Sequence, residues 1–163
     1  MTGTFLVLYF LLVFVASTVG SAYFAATVDQ ELRPFFEGHG MEPEASDARQ
    51  AFGYLVASAV LGGLSVIRAI WKLCNPSPRS DDDDDKRQGL CSTLISLACS
   101  IVLLAFAILT IQHSWGWWKH FDAEGNGHLA AASQGLAVFL ISMMVISVFG
   151  SIVAIVVGIS SKG

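Results

Sequence analysis

Charge is scarce in this chain. Of 163 residues only 13% are Asp, Glu, Lys or Arg, against 54% hydrophobic, and mean hydropathy is +0.63. A soluble domain carries about 25% charged residues, so roughly half the usual polar coat is missing. That shortage excludes disorder and an ordinary cytosolic enzyme. Cysteine is scarce too: Cys74, Cys91 and Cys99 are the only three, with none in 29–50 or 113–128. A secreted disulfide scaffold is thereby excluded. Proline is confined to Pro34, Pro43, Pro76 and Pro78, all between long apolar runs, where helices are expected to stop. Nucleotide-binding, nucleophile-elbow and metalloprotease motifs are absent, so no enzyme and no nucleic-acid partner is expected.

What is present is four apolar runs: Phe5–Val28, Ala51–Leu73, Leu90–Gln112 and Leu129–Ile159. Crossing a hydrocarbon core of about 30 Å takes roughly 20 helical residues, so each run is long enough. The fourth, about 46 Å at helical rise, must tilt, kink or protrude. The expected fold is all-α: an integral membrane four-helix antiparallel bundle forming one domain over 1–163. Its loops are 29–50 and 113–128 on one side and 74–89 on the other. Small residues at Gly20-Ser21-Ala22 could pass for a signal cleavage site, but no basic segment precedes them and apolar character continues to Val28. A retained span is expected.

Basic residues set the orientation. Arg68, Lys72, Arg79, Lys86 and Arg87 surround the second connection, and Lys162 follows the fourth run. The other side has Arg33, Arg49 and Lys119. Six against three places loop 74–89 and both termini in the cytoplasm. The outer side is acidic, with eight Asp and Glu against those three cations, which points to cations or basic partners there.

Spans in lipid associate through small residues and interhelical hydrogen bonds. Candidate packing stripes are Ser17, Ser21 and Ala25 in the first run, and Ser58 with Gly62 and Ala59 with Gly63 in the second. The third has Ser92, Ser96 and Ser100; the fourth has Gly150, Ala154 and Gly158 beside Ser147 and Ser151. No Asp, Glu, Lys or His falls in the middle of any run, which argues against a proton relay or an in-span haem site. Partners are therefore expected to be the lipid bilayer and other membrane proteins or further copies of the chain.

The connections offer weaker signals. Cys74 and Cys91 flank the cytoplasmic loop, as S-palmitoylation sites do, or are plain small apolar residues. Asp81–Asp85, preceded by Ser77-Pro78 and Ser80, is expected to be a solvated linker with kinase-site likeness. Trp115, Trp117, Trp118 and Phe121 are expected to anchor a span end at the membrane interface. Asp122, Glu124 and Asn126 take the first, third and fifth positions of a calcium-loop pattern, with Gly127 at its turn. The twelfth position is Ser133 instead of Glu, so weak Ca2+ binding or a plain Asn126-Gly127 turn are both open. His39, His113, His120 and His128 all lie on the outer side, as solvated residues or as a shared zinc or pH-sensing group.

Leu61-Gly-Gly-Leu-Ser-Val-Ile resembles the small-residue Gly/Ser-Leu-Ser segment of the membrane-spanning four-domain (CD20-like) family. The Ser/Leu-rich third run is similar to its counterpart there, and MARVEL-type four-pass proteins match comparably. Either resemblance implies a scaffold or accessory role, often oligomeric, without catalysis. The expected function is lateral association as an accessory subunit or organiser of a membrane complex. The alternatives are a subunit of an oligomeric channel or energy-transducing complex, and a weakly calcium-responsive protein.

Overall fold

A computed structural model describes the backbone of residues 2–75 and 83–160, and the side chains within them except those of 2–4, 6, 72, 83–93, 96–97 and 158. Every described element is helical: α1 (Thr2–Thr27), a π-helical turn (Val28–Leu32), α2 (Arg33–Gly38), α3 (Glu42–Cys74), α4 (Asp83–Ala123) and α5 (Gly127–Ser160). Four stretches among the described residues are long and apolar enough to cross a membrane: Val7–Gly38, Glu42–Trp71, Ala98–Ala123 and Gly127–Val157.

The helices run well past the apolar runs. Pro34 does not stop the first one. The Arg33 N–H donates to the Val28 carbonyl, one residue farther back than in an α-helix, which opens a π turn just before the proline. Pro34 then occupies the first turn of α2, where its missing N–H costs nothing. Residues 42–50, expected as loop, form the first turns of α3, with Pro43 and two acidic residues at its start. Their hidden signal is the helical spacing of Ala45, Ala48, Ala51 and Leu55, all buried. Residues 113–123, also expected as loop, continue α4. The linker expected over 74–89 is helical from Asp83; its Ser77-Pro78, Ser80 and Asp81-Asp82 lie outside the described residues, as does Lys162.

Helix α1 packs along α3, and α4 along α5. The two pairs meet where α1 touches α5: the Tyr9 hydroxyl donates to the Ile146 carbonyl at 3.0 Å, and the rings of Phe24 and Phe139 lie 5.2 Å apart. A second junction joins α3 to α4. The core sits at one end, the cap, where Phe36, Phe121, Leu32, Leu55, Leu136 and Val28 are fully buried. At the opposite end the same helices expose Ile67, Trp71, Ile95 and Ile155, each by more than 60%.

Candidate functional site

The cap gathers most of the chemistry-bearing side chains, because two tight turns hold its helices together. After α2, Met41 N–H donates to Phe36 O and Gly40 N–H to Glu37 O; after α4, Asn126 N–H donates to Phe121 O and Gly125 N–H to Asp122 O. Both are Schellman motifs, closed by a glycine at positive φ, +70° at Gly40 and +75° at Gly125. In each, the third residue from the helix end is a fully buried phenylalanine.

Those two rings organise the cap. Phe36 and Phe121 stack with centroids 5.5 Å apart, and Trp117 packs on Phe36 at 5.5 Å. Trp117 is 4% exposed, so it and Phe121 are core residues and not the membrane anchors expected from the sequence. Trp115 alone of the group stays exposed, with its ring edge-on to the half-buried Trp118.

Around this core runs a polar rim, outside the stretch 5–28. Arg33 bridges Asp29 at 2.8 Å and Glu37 at 3.0 Å, and Glu37 accepts a second bond from Arg49 at 2.8 Å. The network ties the π turn and α2 to α3. The bonds from Arg49 and then Arg33 hold the Glu37 carboxyl below the usual carboxylate range. Asp29 and Glu37 in turn hold the Arg33 guanidinium protonated, Glu37 contributing most.

A cleft of about 300 Å³ opens between the start of α3 and the end of α4. Glu44 and Asp47 line it from α3, and Gln112, His113 and His120 from α4, over Phe36 and Trp117. His113 stacks on Trp117 and sets Nδ1 3.1 Å from Asp47 Oδ2. The His120 Nε2 is enclosed, makes no hydrogen bond, and lies 3.4 Å from Glu124 Oε1. His128 Nδ1 lies 3.5 Å from Glu31 Oε2. His39 instead bonds the Phe35 carbonyl at 2.8 Å and stacks on that ring. Three of four histidines thus meet a carboxylate. Sequence reading left them unpaired because it treated 29–50 and 113–128 as loops, losing the helical spacing that brings Asp47 opposite His113.

The candidate calcium residues share one turn. Asp122 is the penultimate residue of α4, Glu124 and Gly125 form the Schellman turn, and Asn126 caps α5, its Oδ1 3.4 Å from the Leu129 N–H. The turn's positive φ belongs to Gly125, whereas Gly127 is the first residue of α5. Ser133 is buried farther along α5. Among the described residues no three His, Cys, Asp or Glu side chains gather as a metal site requires.

Several small residues lie at helix contacts. Ser21 and Ala25 are buried, and Gly20 lies against Phe139. Gly62 is buried so close to Thr18 that a Cβ would collide with its hydroxyl. At Gly150 a Cβ would sit 2.6 Å from the Tyr9 ring. Ser17, Ser58, Ala59, Gly63 and Ala154 are half-buried, whereas Ser100, Ser147 and Ser151 are exposed. The side chains of Ser92, Ser96, Gly158 and Cys91 lie outside the described residues. Cys74 and Cys99 are exposed thiols.

Fold and site together define a class: an all-helical chain with four helices of membrane-crossing length and apolarity, joined at one end by a packed, charged cap. No family model, curated protein or solved structure matches it.

Proposed function

We propose that the chain is an integral membrane protein of four antiparallel spans, with the cap outside and both termini cytoplasmic. It acts without catalysis, by lateral association, as an accessory subunit or organiser of a membrane complex. The observation that carries this reading is the division of the surface. Eleven of the 22 charged residues lie on the cap and the other eleven at 68–87 and 162, while between these ends the helices present Leu, Ile, Val and Phe on nearly every side. Apolar patches beyond a few hundred Å² are not tolerated in water and mark lipid or protein contact. The antiparallel reading is supported by the pairing of Tyr9 with Gly150, Gly20 with Phe139 and Phe24 with Gly135, which step in opposite directions along α1 and α5. Association is supported by α4, which exposes Leu94, Ile95, Ile101 and Val102 over its first half.

Purification of the tagged chain in mild detergent, with identification of co-purifying chains, tests this. A defined oligomer or a stoichiometric membrane partner is expected. A lone monodisperse monomer in every mild detergent overturns the association reading, and an assembled particle with a hydrated axial pore replaces it with the channel reading.

A further inference from the structure

We propose that the cleft between α3 and α4 is a binding site for a small organic ammonium, a cation that carries an apolar body. The cleft holds about 300 Å³, the lower end of the range for small-molecule sites. Its floor is Phe36 and Trp117, both buried and both fixed by the ring stack that centres the cap. A floor set in the core keeps its shape without a ligand, so binding costs little ordering. Gly116 lines the α4 wall and is exposed, and a Cβ there meets nothing within 4 Å. The absence of a side chain at that position keeps the cleft open.

The charge of the cleft is not met from within. Glu44 and Asp47 line it from α3, and among the described residues no Lys or Arg does. The arginines of the cap are engaged elsewhere, Arg33 with Asp29 and Glu37, and Arg49 with Glu37. Lys119 is exposed and lies outside the lining. Asp47 has His113 Nδ1 at 3.1 Å, but the half-buried Glu44 side chain makes no hydrogen bond or ion pair among the described residues. Glu44 and Asp47 stand three residues apart on one helix, where side chains are neighbours and like charges repel. A cation bound beside them relieves that repulsion and gives Glu44 a partner.

The same features narrow the cation. A single metal ion does not fit, because no three His, Cys, Asp or Glu side chains among the described residues gather as ligands. The volume also calls for a polyatomic ligand. Primary ammonium suits the two carboxylates, since its N–H groups donate charge-assisted hydrogen bonds that a quaternary nitrogen lacks. Met41 and the edge of Trp117 take the apolar body. The site lies wholly in the cap, so it does not depend on which chains the spans contact.

Calorimetric titration of phenethylamine into the full chain in phosphatidylcholine nanodiscs, with empty nanodiscs subtracted, tests this. Saturable binding is expected for the wild-type chain. Phenethyl alcohol, the uncharged counterpart, is expected neither to bind nor to compete. E44Q is expected to weaken binding about tenfold, the scale of one hydrogen bond to a charged group. G116L, which fills the cleft from an open position, is expected to abolish it. E42Q removes an exposed charge that does not line the cleft and is expected to leave binding unchanged. No saturable binding to the wild-type chain overturns the proposal. So does wild-type affinity in both E44Q and G116L, or equal binding of the alcohol, or a loss in E42Q as large as in E44Q.

Discussion

Phe36 sits at the meeting point of α2, α3 and α4, with no exposed surface and with Trp117 and Phe121 on its ring. Truncating a buried phenylalanine costs the lost transfer free energy and adds a cavity. Phe36→Ala is expected to destabilise the chain by about 3–5 kcal/mol, read as a fall in the thermal unfolding midpoint in detergent. Trp115→Ala, at an exposed ring, is expected to change that midpoint far less. At this scale the sequence was informative about residue type and misleading about place. Four aromatic residues beside a span end look like an interfacial belt, yet Trp117 and Phe121 are turned inward by one helical face that also carries Ser114 and Thr110. Those hydroxyls are buried without strain because each bonds a carbonyl one turn back, at 2.7 and 2.8 Å. A serine among tryptophans thus gave no local sign that the segment packs against a core.

Elements were legible where hydropathy alone decides them and obscured where charge intervened. All four long helices contain the apolar runs, since some 20 uninterrupted apolar residues permit little else. The extensions into the cap were not legible, because Pro34, Pro43 and the charges of 29–50 lower the hydropathy while leaving the Ala45–Ala48–Ala51–Leu55 spacing intact. Proline at a helix start is permitted, and a π turn makes room for it within one. The turn before α5 offers a sharper test, since the sequence pointed to Asn126-Gly127 and the positive φ falls on Gly125. A Cβ at either glycine meets nothing within 4 Å, so only backbone conformation distinguishes them. Gly125→Ala is expected to cost about 1–2 kcal/mol, the penalty for a left-handed L-residue. Gly127→Ala, within a right-handed helix, is expected to be neutral or stabilising by up to about 1 kcal/mol. Paired unfolding midpoints of the two variants check this, and equal costs would mean that the turn is made elsewhere.

On the scale of the whole molecule, the chain is built asymmetrically. Among the described residues, its largest buried side chains, its ion-pair network and its histidine–carboxylate contacts lie in the cap, while the opposite half leaves large apolar side chains uncovered. The scarcity of charge that marks the sequence is therefore a matter of distribution as much as amount. The cap holds the buried aromatic core and eleven charged residues, and the remainder exposes large apolar side chains. The proposed crossing of the bilayer, with the cap on the outer side, rests on that division and on the excess of Lys and Arg around the second connection. Site-directed labelling with a membrane-impermeant maleimide tests this most directly, using single cysteines in a background lacking the other thiols. His39→Cys and Glu124→Cys, both on the exposed rim of the cap, are expected to label in intact cells. The native thiol of Cys74, exposed at the far end of α3, is expected to label only after permeabilisation. Labelling of Cys74 in intact cells, or protection of both cap positions there, would contradict the account.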